Sequence, residues 1–311
     1  MAEPIALAAL ALDAAIGWPA WLYARIGHPV GLFARLITAC ERRWNTAARS
    51  EGRRRALGTL TMLLVLLASG GTGWLVEQAI LSLAGEAGWP LIALAAWPAL
   101  AQRSLHDHVR PVLDALRAFD LPAARRAVAM IVGRDTRRLD DLGVARAATE
   151  SLAESFCDGV VAPLVWLVVA GLPGLWAYRA INTADSLIGH PEPPLRAFGW
   201  AAARTDDLAN LVPARLAAGL LCLAGGGGWR IAWRDHARHA SPNAGWPEAA
   251  MAGALGVRLA GPVSYDGEVS TKPWIGEGRS ADSAALARAL SIYLRACGLL
   301  WILALGVAWL V

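Results

Sequence analysis

Apolar residues run along this chain in long blocks, separated by stretches in which arginine and acidic residues return. The blocks fall at roughly 4–22, 56–83, 89–101, 160–177, 209–224 and 294–311. A hydrocarbon core about 30 Å thick needs about 20 apolar helical residues to cross it, and 56–83 meets that most clearly. The block from Pro4 lacks a basic start and an A-x-A-like cleavage site, so it reads as a membrane helix rather than a signal peptide. Its one carboxylate, Asp13, sits either in the bilayer or near its interface, where the cost of the charge fades. Block 160–177 is interrupted at Gly171-Leu-Pro-Gly174, the pattern of a broken or re-entrant helix. No segment shows sustained strand-like alternation. The predicted fold is all-α: a polytopic integral membrane protein with about four to six membrane helices, some re-entrant, forming one domain over 1–311.

The polar stretches, roughly 25–55, 103–158 and 229–290, read as a cytoplasmic helical and loop layer. Residues 25–55 hold eight Arg against two Glu, a positive-inside signature. Within them, Leu32, Leu36 and Ala39 opposite Arg35 suit an interfacial helix. From 237 to 267 the chain is dense in Gly, Pro and Asn: Ser241-Pro-Asn243 with Gly245 reads as turn chemistry, and Pro247 suits a first helical turn. That stretch is either a plain loop-helix-loop or a backbone-lined anion pocket at a helix N-terminus.

Composition agrees with membrane residence. Hydrophobic residues are 56% and charged residues 17%, against about 45–50% and about 25% in soluble domains. The net charge of +4 is carried almost wholly by Arg, because Lys272 is the single lysine. The basic residues flank apolar blocks instead of forming one surface, so no nucleic-acid partner is expected. Four scattered cysteines make neither a disulfide framework nor a zinc site.

Three constellations carry candidate chemistry. Glu150, Glu154 and Asp158 recur every four residues on a predicted helix, either a solvated acidic face or a Mg²⁺ site. Asn182 and Asp185, together with Arg204, Asp206, Asp207 and Asn210, abut apolar blocks, where idle charge is penalised; metal–phosphate binding with Arg204 as a forked donor fits them. Arg134 and Asp135 follow Gly133 in a turn, Arg134 as a phosphate ligand and Asp135 as a helix cap. No Walker A lysine, dinucleotide fingerprint or nucleophile elbow is present.

Together these motifs resemble the CobD/CbiB family, the adenosylcobinamide-phosphate synthases of cobalamin biosynthesis. The resemblance lies in His28-Pro29-Val30, Arg103-Ser104-Leu105, IVGRDT from Ile131, DGVVAPL from Asp158 and NTADS from Asn182. It continues through RTDDLANLVPAR from Arg204 and SPNAGWPEAAMAGALGVRL from Ser241. Three positions depart from the family pattern. Gly17-Trp18-Pro19 stands where the family often has Gly-Asp-Pro, Glu154-Ser155 where it has Glu-Asn, and Ala260-Gly261-Pro262 where it tends to Gly-Gly-Pro.

The resemblance implies a multi-pass protein of the bacterial inner membrane that joins adenosylcobyric acid to aminopropanol or its O-phosphate. The reaction makes an amide with ATP as co-substrate, in the company of the lipid bilayer and other membrane-associated cobalamin-biosynthesis proteins. With that reaction in mind, residue chemistry assigns Asp206, Asp207, Glu154 and Asp185 to catalysis. Glu150, Glu154, Asp158, Asp206 and Asp207 are assigned to Mg²⁺. Arg134, Asp135, Asn182, Arg204, Asn210, Ser241 and Asn243 are assigned to substrate or phosphate. The alternatives are a Mg²⁺-dependent transferase acting on a lipid diphosphate and a non-catalytic corrinoid-binding subunit.

Overall fold

The computed structural model describes residues 2–265, 268–270 and 272–310. In chain order the helices are α1 (Ala2–Ile16), α2 (Ala20–Ile26), α3 (Val30–Trp44), α4 (Glu51–Ala84), α5 (Trp89–Ala96), α6 (Gln102–Arg117), α7 (Leu121–Ala129) and α8 (Asp141–Phe156). They continue as α9 (Ala162–Ile188), α10 (Leu195–Phe198), α11 (Trp200–Ala209), α12 (Leu211–Gly225), α13 (Trp229–Asp235), α14 (Gly245–Leu255) and α15 (Ser283–Leu310). Between the last two lie β1 (Val257–Ala260), β2 (Val263–Tyr265), β3 (Glu268–Ser270), β4 (Trp274–Gly276) and β5 (Arg279–Ser280). Side-chain caps start several helices. Ser50 opens α4, Asp120 opens α7, and Asp140 opens α8 by accepting from Gly143 N–H at 2.7 Å.

By length and composition, the helical stretches Glu51–Arg117, Asp141–Ile188 and Ser283–Gly306 can each cross a membrane. The count rises to five if two bent pairs each form one span. On α4 the outward positions are apolar, with Leu67, Leu75 and Trp74 all exposed, as a lipid-facing helix requires. Two expected spans are modified. The first block bends by 103° where Gly17 to Pro19 interrupt it. The 89–101 block gives α5, which at eight residues is about 12 Å long and ends in a 3₁₀ turn.

The chain divides into two compact units. The first comprises 1–101, 162–210 and 304–311. Its core is built where α3, α4, α9 and α11 meet, around Ile37, Val65, Tyr178, Ala184, Phe198 and Ala202. The buried face of α3 is Ile37 and Cys40 with Phe33 and Leu36, while Leu32 and Ala39 are exposed. The expected interfacial stripe is therefore rotated, because the core claims the i, i+3, i+4, i+7 set instead. Asp13 is buried. Helix α9 breaks where the sequence predicts, at Ala170 and Gly171. Gly171 takes φ +62°, and the first free amide after it, Leu172 N–H, donates to Glu77 Oε2 on α4 at 2.8 Å. A carboxylate borne on a neighbouring helix thus caps the second half of α9, where the bilayer offers no water.

The second unit comprises 102–161 and 211–303. Helix α14 lies at its centre, packed by α8, α12 and α13, and is buried almost all round. Gly245 is required at its start, since a Cβ there would lie 2.0 Å from His236 O. Five short strands follow, a correction to the strandless expectation. β1 pairs antiparallel with β4 (Leu259 opposite Ile275) and parallel with β5, while β2 pairs with β3. Strands of two to four residues are too short to show an alternating pattern, so nothing marked them among the surrounding glycines and prolines. Fully buried Asp235 ties α13 to β4: Arg234 holds both its oxygens at 2.7 Å, and Gly276 N–H donates to Oδ2 at 2.8 Å.

Candidate active site

Each unit carries one cluster of polar side chains. In the first unit, α9 presents Asn182 and Asp185, and α11 presents Arg204, Asp206 and Asp207, with Asn210 at its C-cap. Asn210 is 2% exposed; its Nδ2 donates to Asp206 Oδ2 at 3.0 Å, and its Oδ1 accepts from the buried Tyr178 hydroxyl at 3.0 Å. Asp206 Oδ1 is buried and has no hydrogen-bond partner among the described residues. Asp185 and Asp207 are near enough to act on its charge. Asp207 pairs with Arg204 at 3.1 Å, and the Arg204 side chain is 64% exposed. A carboxylate oxygen out of water, facing other carboxylates, is stabilised by a cation or a proton.

In the second unit, Glu150 of α8 accepts from Arg134 Nη2 at 2.5 Å and from Ala260 N–H at 2.8 Å, with Arg146 Nε at 3.7 Å. Opposite stands the turn before α14. Ser241 Oγ accepts from the N–H groups of Asn243 and Ala244, both at 3.2 Å. Buried Asn243 accepts from Arg215 Nη1 at 3.1 Å, and the Arg215 guanidinium lies 5.1 Å from the Trp246 ring, which stacks on His236. His239 Nδ1 accepts from Ser241 N–H at 3.0 Å, and its Nε2 lies 3.7 Å from the carboxyl of Glu248. Glu248 is 4% exposed; burial, reinforced by Glu150 and Glu154, pushes its carboxyl well above the ordinary range. Burial pulls the His239 imidazole below its ordinary value, with Lys272 adding to the effect.

A match to the family described as CobD/Cbib protein covers residues 6–293. Among curated relatives, the protein named "Cobalamin biosynthesis protein CobD" from Rhodobacter capsulatus is 52% identical over 93% of this chain and 91% of its own length. The protein of the same name from Sinorhizobium fredii is 46% identical over 94% and 93%. That from Geobacter metallireducens is 44% identical over 89% and 87%. The chain belongs to the CobD/CbiB family. No solved structure gives a significant match.

For this CobD/CbiB chain the structure gathers Asn182, Asp185, Asp206, Asp207 and Asn210 as the sequence predicts. It treats the 150–158 row differently. The α-helix ends at Phe156 and a π-helical segment, Cys157–Val161, carries Asp158, so the four-residue spacing does not continue as one face. Glu150 is occupied by Arg134 and the Ala260 amide, and Glu154 is exposed. Among the described residues no three His, Cys, Asp or Glu side chains converge to cage a metal. Arg134 is an ion-pair partner here, with its side chain 9% exposed. Asp135 does not cap a helix. It folds back on Arg137, accepting from its backbone N–H at 2.9 Å and from its guanidinium, which holds the carboxyl down at about 2. Asp140 is the cap instead, because it directly precedes the first turn. Asp266 and Gly267, the end of the 237–267 stretch, lie outside the described residues. Glu248, His239 and Tyr178 were not singled out from sequence. The available signal was Glu248 as the one charge on an otherwise apolar, small-residue helix.

Proposed function

We propose that this protein works in cobalamin biosynthesis as an amide-forming ligase of the bacterial inner membrane. It would join a propionate carboxylate of adenosylcobyric acid to aminopropanol or its O-phosphate, with ATP as co-substrate. Membership of the CobD/CbiB family supports the pathway. The observation that carries the chemistry is Asp206 Oδ1, buried and without a hydrogen-bond partner among the described residues, beside Asp185 and Asp207.

A carboxylate becomes an acyl donor once its oxygen is made a leaving group, so phosphoryl transfer gives an acyl phosphate and ADP. The amine nitrogen then attacks the carbonyl carbon, the C–N bond forms, and phosphate departs. Mg²⁺ takes one or two carboxylates and completes its shell with phosphate oxygens and water. Asp206 and Asp185 fit that role without a third protein carboxylate, and Asp207 stands beside them. When bound, the ion neutralises phosphate charge. Asn210 fixes the Asp206 rotamer through Oδ2 and leaves Oδ1 available. Arg204, mostly solvent-exposed, is free to swing from Asp207 onto a phosphate as a forked donor.

The test combines the full chain in detergent with adenosylcobyric acid, aminopropanol phosphate and Mg-ATP, and reads the mass of the corrinoid product. Condensation with ADP formation supports the reading. Binding of corrinoid without turnover would make the protein a carrier. Turnover of a lipid diphosphate in place of the corrinoid would make it a transferase.

A further inference from the structure

Tyr178 stands on the stripe of α9 that carries two of the candidate site residues. Tyr178, Asn182 and Asp185 recur at i, i+4 and i+7, so they share one face of a helix that packs on α11. The tyrosine is 1% exposed, in the core with Ile181, Ala184 and Ala209, where a phenylalanine ring would pack as well and a hydroxyl has to find a partner. It finds buried Asn210, donating to Oδ1 at 3.0 Å. The other end of that side-chain amide, Nδ2, donates to Asp206 Oδ2 at 3.0 Å. Asn182 is also near enough to act on the Asp206 carboxylate, whose Oδ1 is buried with no hydrogen-bond partner among the described residues. The two ends of an asparagine amide have nearly the same shape and opposite hydrogen-bonding character, so partners decide which way it faces. Tyr178 and Asp206 decide it in the same sense, hydroxyl into carbonyl and N–H into carboxylate. Buried Tyr293 differs: its hydroxyl donates to a backbone carbonyl, Gln102 O, at 2.6 Å, and a backbone carbonyl has no rotamer to fix.

We propose that Tyr178 is a positioning residue for the Asp206 carboxylate: its hydroxyl locks the Asn210 side chain, Asn210 holds Oδ2, and Oδ1 is thereby kept in place for a divalent cation. The assignment rests on the reading above of Asp206 as a Mg²⁺ ligand. The hydroxyl acts through Asn210 and not on the ion. Hydrogen bonds in a chain polarise one another, so an O–H donated to Asn210 Oδ1 strengthens the Nδ2 bond to a charged Oδ2. Without that O–H, the Asn210 side chain loses its anchor on α9 and the carboxylate loses a fixed direction. Mg²⁺ demands near-ideal octahedral geometry, so a site that offers it one or two carboxylates depends on where each oxygen points. Groups that orient a metal ligand are worth about 10–100-fold in metal affinity. All four side chains, Tyr178, Asn210, Asp206 and Asp185, belong to the first unit.

The test uses the full chain in detergent with Mn²⁺, an oxygen-preferring divalent probe whose free and bound forms differ in electron paramagnetic resonance. Wild type should bind Mn²⁺ and Asp206→Asn should lose it; binding that survives Asp206→Asn lies elsewhere and overturns the assignment. Tyr178→Phe keeps the ring and should weaken Mn²⁺ binding about 10-fold or more. Asn210→Ala should weaken it at least as much, and Tyr178→Phe added to Asn210→Ala should change nothing further, because the hydroxyl acts through that side chain. A phenol that only packs the core would lower the metal-free unfolding midpoint and leave Mn²⁺ affinity at the wild-type value. That result overturns the assignment, as do additive losses in the double variant. If Tyr178→Phe fails to fold, Asn210→Ala carries the test: a loss there supports the assignment and wild-type affinity overturns it. The corrinoid product assay separates this from the ligase reading. Loss of Mn²⁺ affinity in the variants of a protein that forms no product keeps the positioning role and removes the ligase. Product formation by a wild-type protein that binds no Mn²⁺ does the reverse.

Discussion

Asn210 holds Asp206 by one oxygen only: its Nδ2 donates to Oδ2 at 3.0 Å, and Oδ1 is left buried without a hydrogen-bond partner among the described residues. A purely structural carboxylate has both oxygens satisfied, as Asp235 does. Asp206→Asn should therefore abolish amide formation while leaving the unfolding midpoint in detergent at or above wild type, since it removes a buried charge. Asp207→Asn, whose carboxylate is already matched by Arg204, should lose less. Product mass and thermal unfolding measured on the same preparations check both. An active Asp206→Asn would remove this cluster from the chemistry.

Glu77 and Gly171 form a second linked pair. Gly171 lies in a φ,ψ region open almost only to glycine, and a Cβ there would stand 2.5 Å from Glu77 Oε2. Gly171→Ala should destabilise by about 1–3 kcal/mol through backbone strain, with an added penalty as Glu77 is pushed off Leu172 N–H. In a Glu77→Ala background the added part should vanish, so the two changes should cost less together than the sum of each alone. Additive costs, read by unfolding in detergent, would mean that Glu77 does not cap the broken helix.

How much of this was legible in the sequence depends on the length scale of each signal. Long apolar blocks marked where helices apolar and long enough to cross a membrane lie, and Gly171-Leu-Pro-Gly174 marked the break in α9, because both are properties of consecutive residues. Asp185 and Asp206 stood out because carboxylates beside apolar blocks are conspicuous, and Asn182 came with them as part of the same short motif as Asp185. What was hidden is pairing across the fold. Arg134 is 16 residues from Glu150, and Ala260 is 110 residues from it. No local pattern predicts that these two would occupy the carboxylate assigned to a metal. The π-helical segment at Cys157–Val161 was likewise invisible, since it changes register without changing composition. Glu248 was passed over because an acidic residue in a first helical turn is ordinary, and only burial makes it unusual.

Ala260, one of the departures from the family pattern, sits at φ +55°. The left-handed region costs an L-residue about 1–2 kcal/mol, against a glycine penalty of about 0.5–1 kcal/mol. Ala260→Gly should therefore stabilise by about 0.5–1 kcal/mol and leave the Ala260 N–H bond to Glu150 in place. An unchanged or lower unfolding midpoint would show that the strain is relieved elsewhere in the loop.

The Glu248 carboxyl also makes stability depend on pH with a definite sign. Its folded pKa is raised above the unfolded value of about 4.3, so between the two the folded state binds more protons than the unfolded one. Its contribution is fully favourable below the unfolded pKa and is lost as pH rises toward the folded one. Buried His239 is depressed and works on the other side: below its unfolded value of about 6.5 the unfolded chain takes up the proton, and stability falls with falling pH. Glu248→Gln cannot ionise, so its unfolding midpoint should match wild type below the unfolded carboxyl's range and exceed it by a margin that grows as pH rises from there toward the raised folded pKa. Because the variant keeps His239, that contribution cancels in the difference. A margin that stays flat across the series would mean that Glu248 is already compensated in the folded chain.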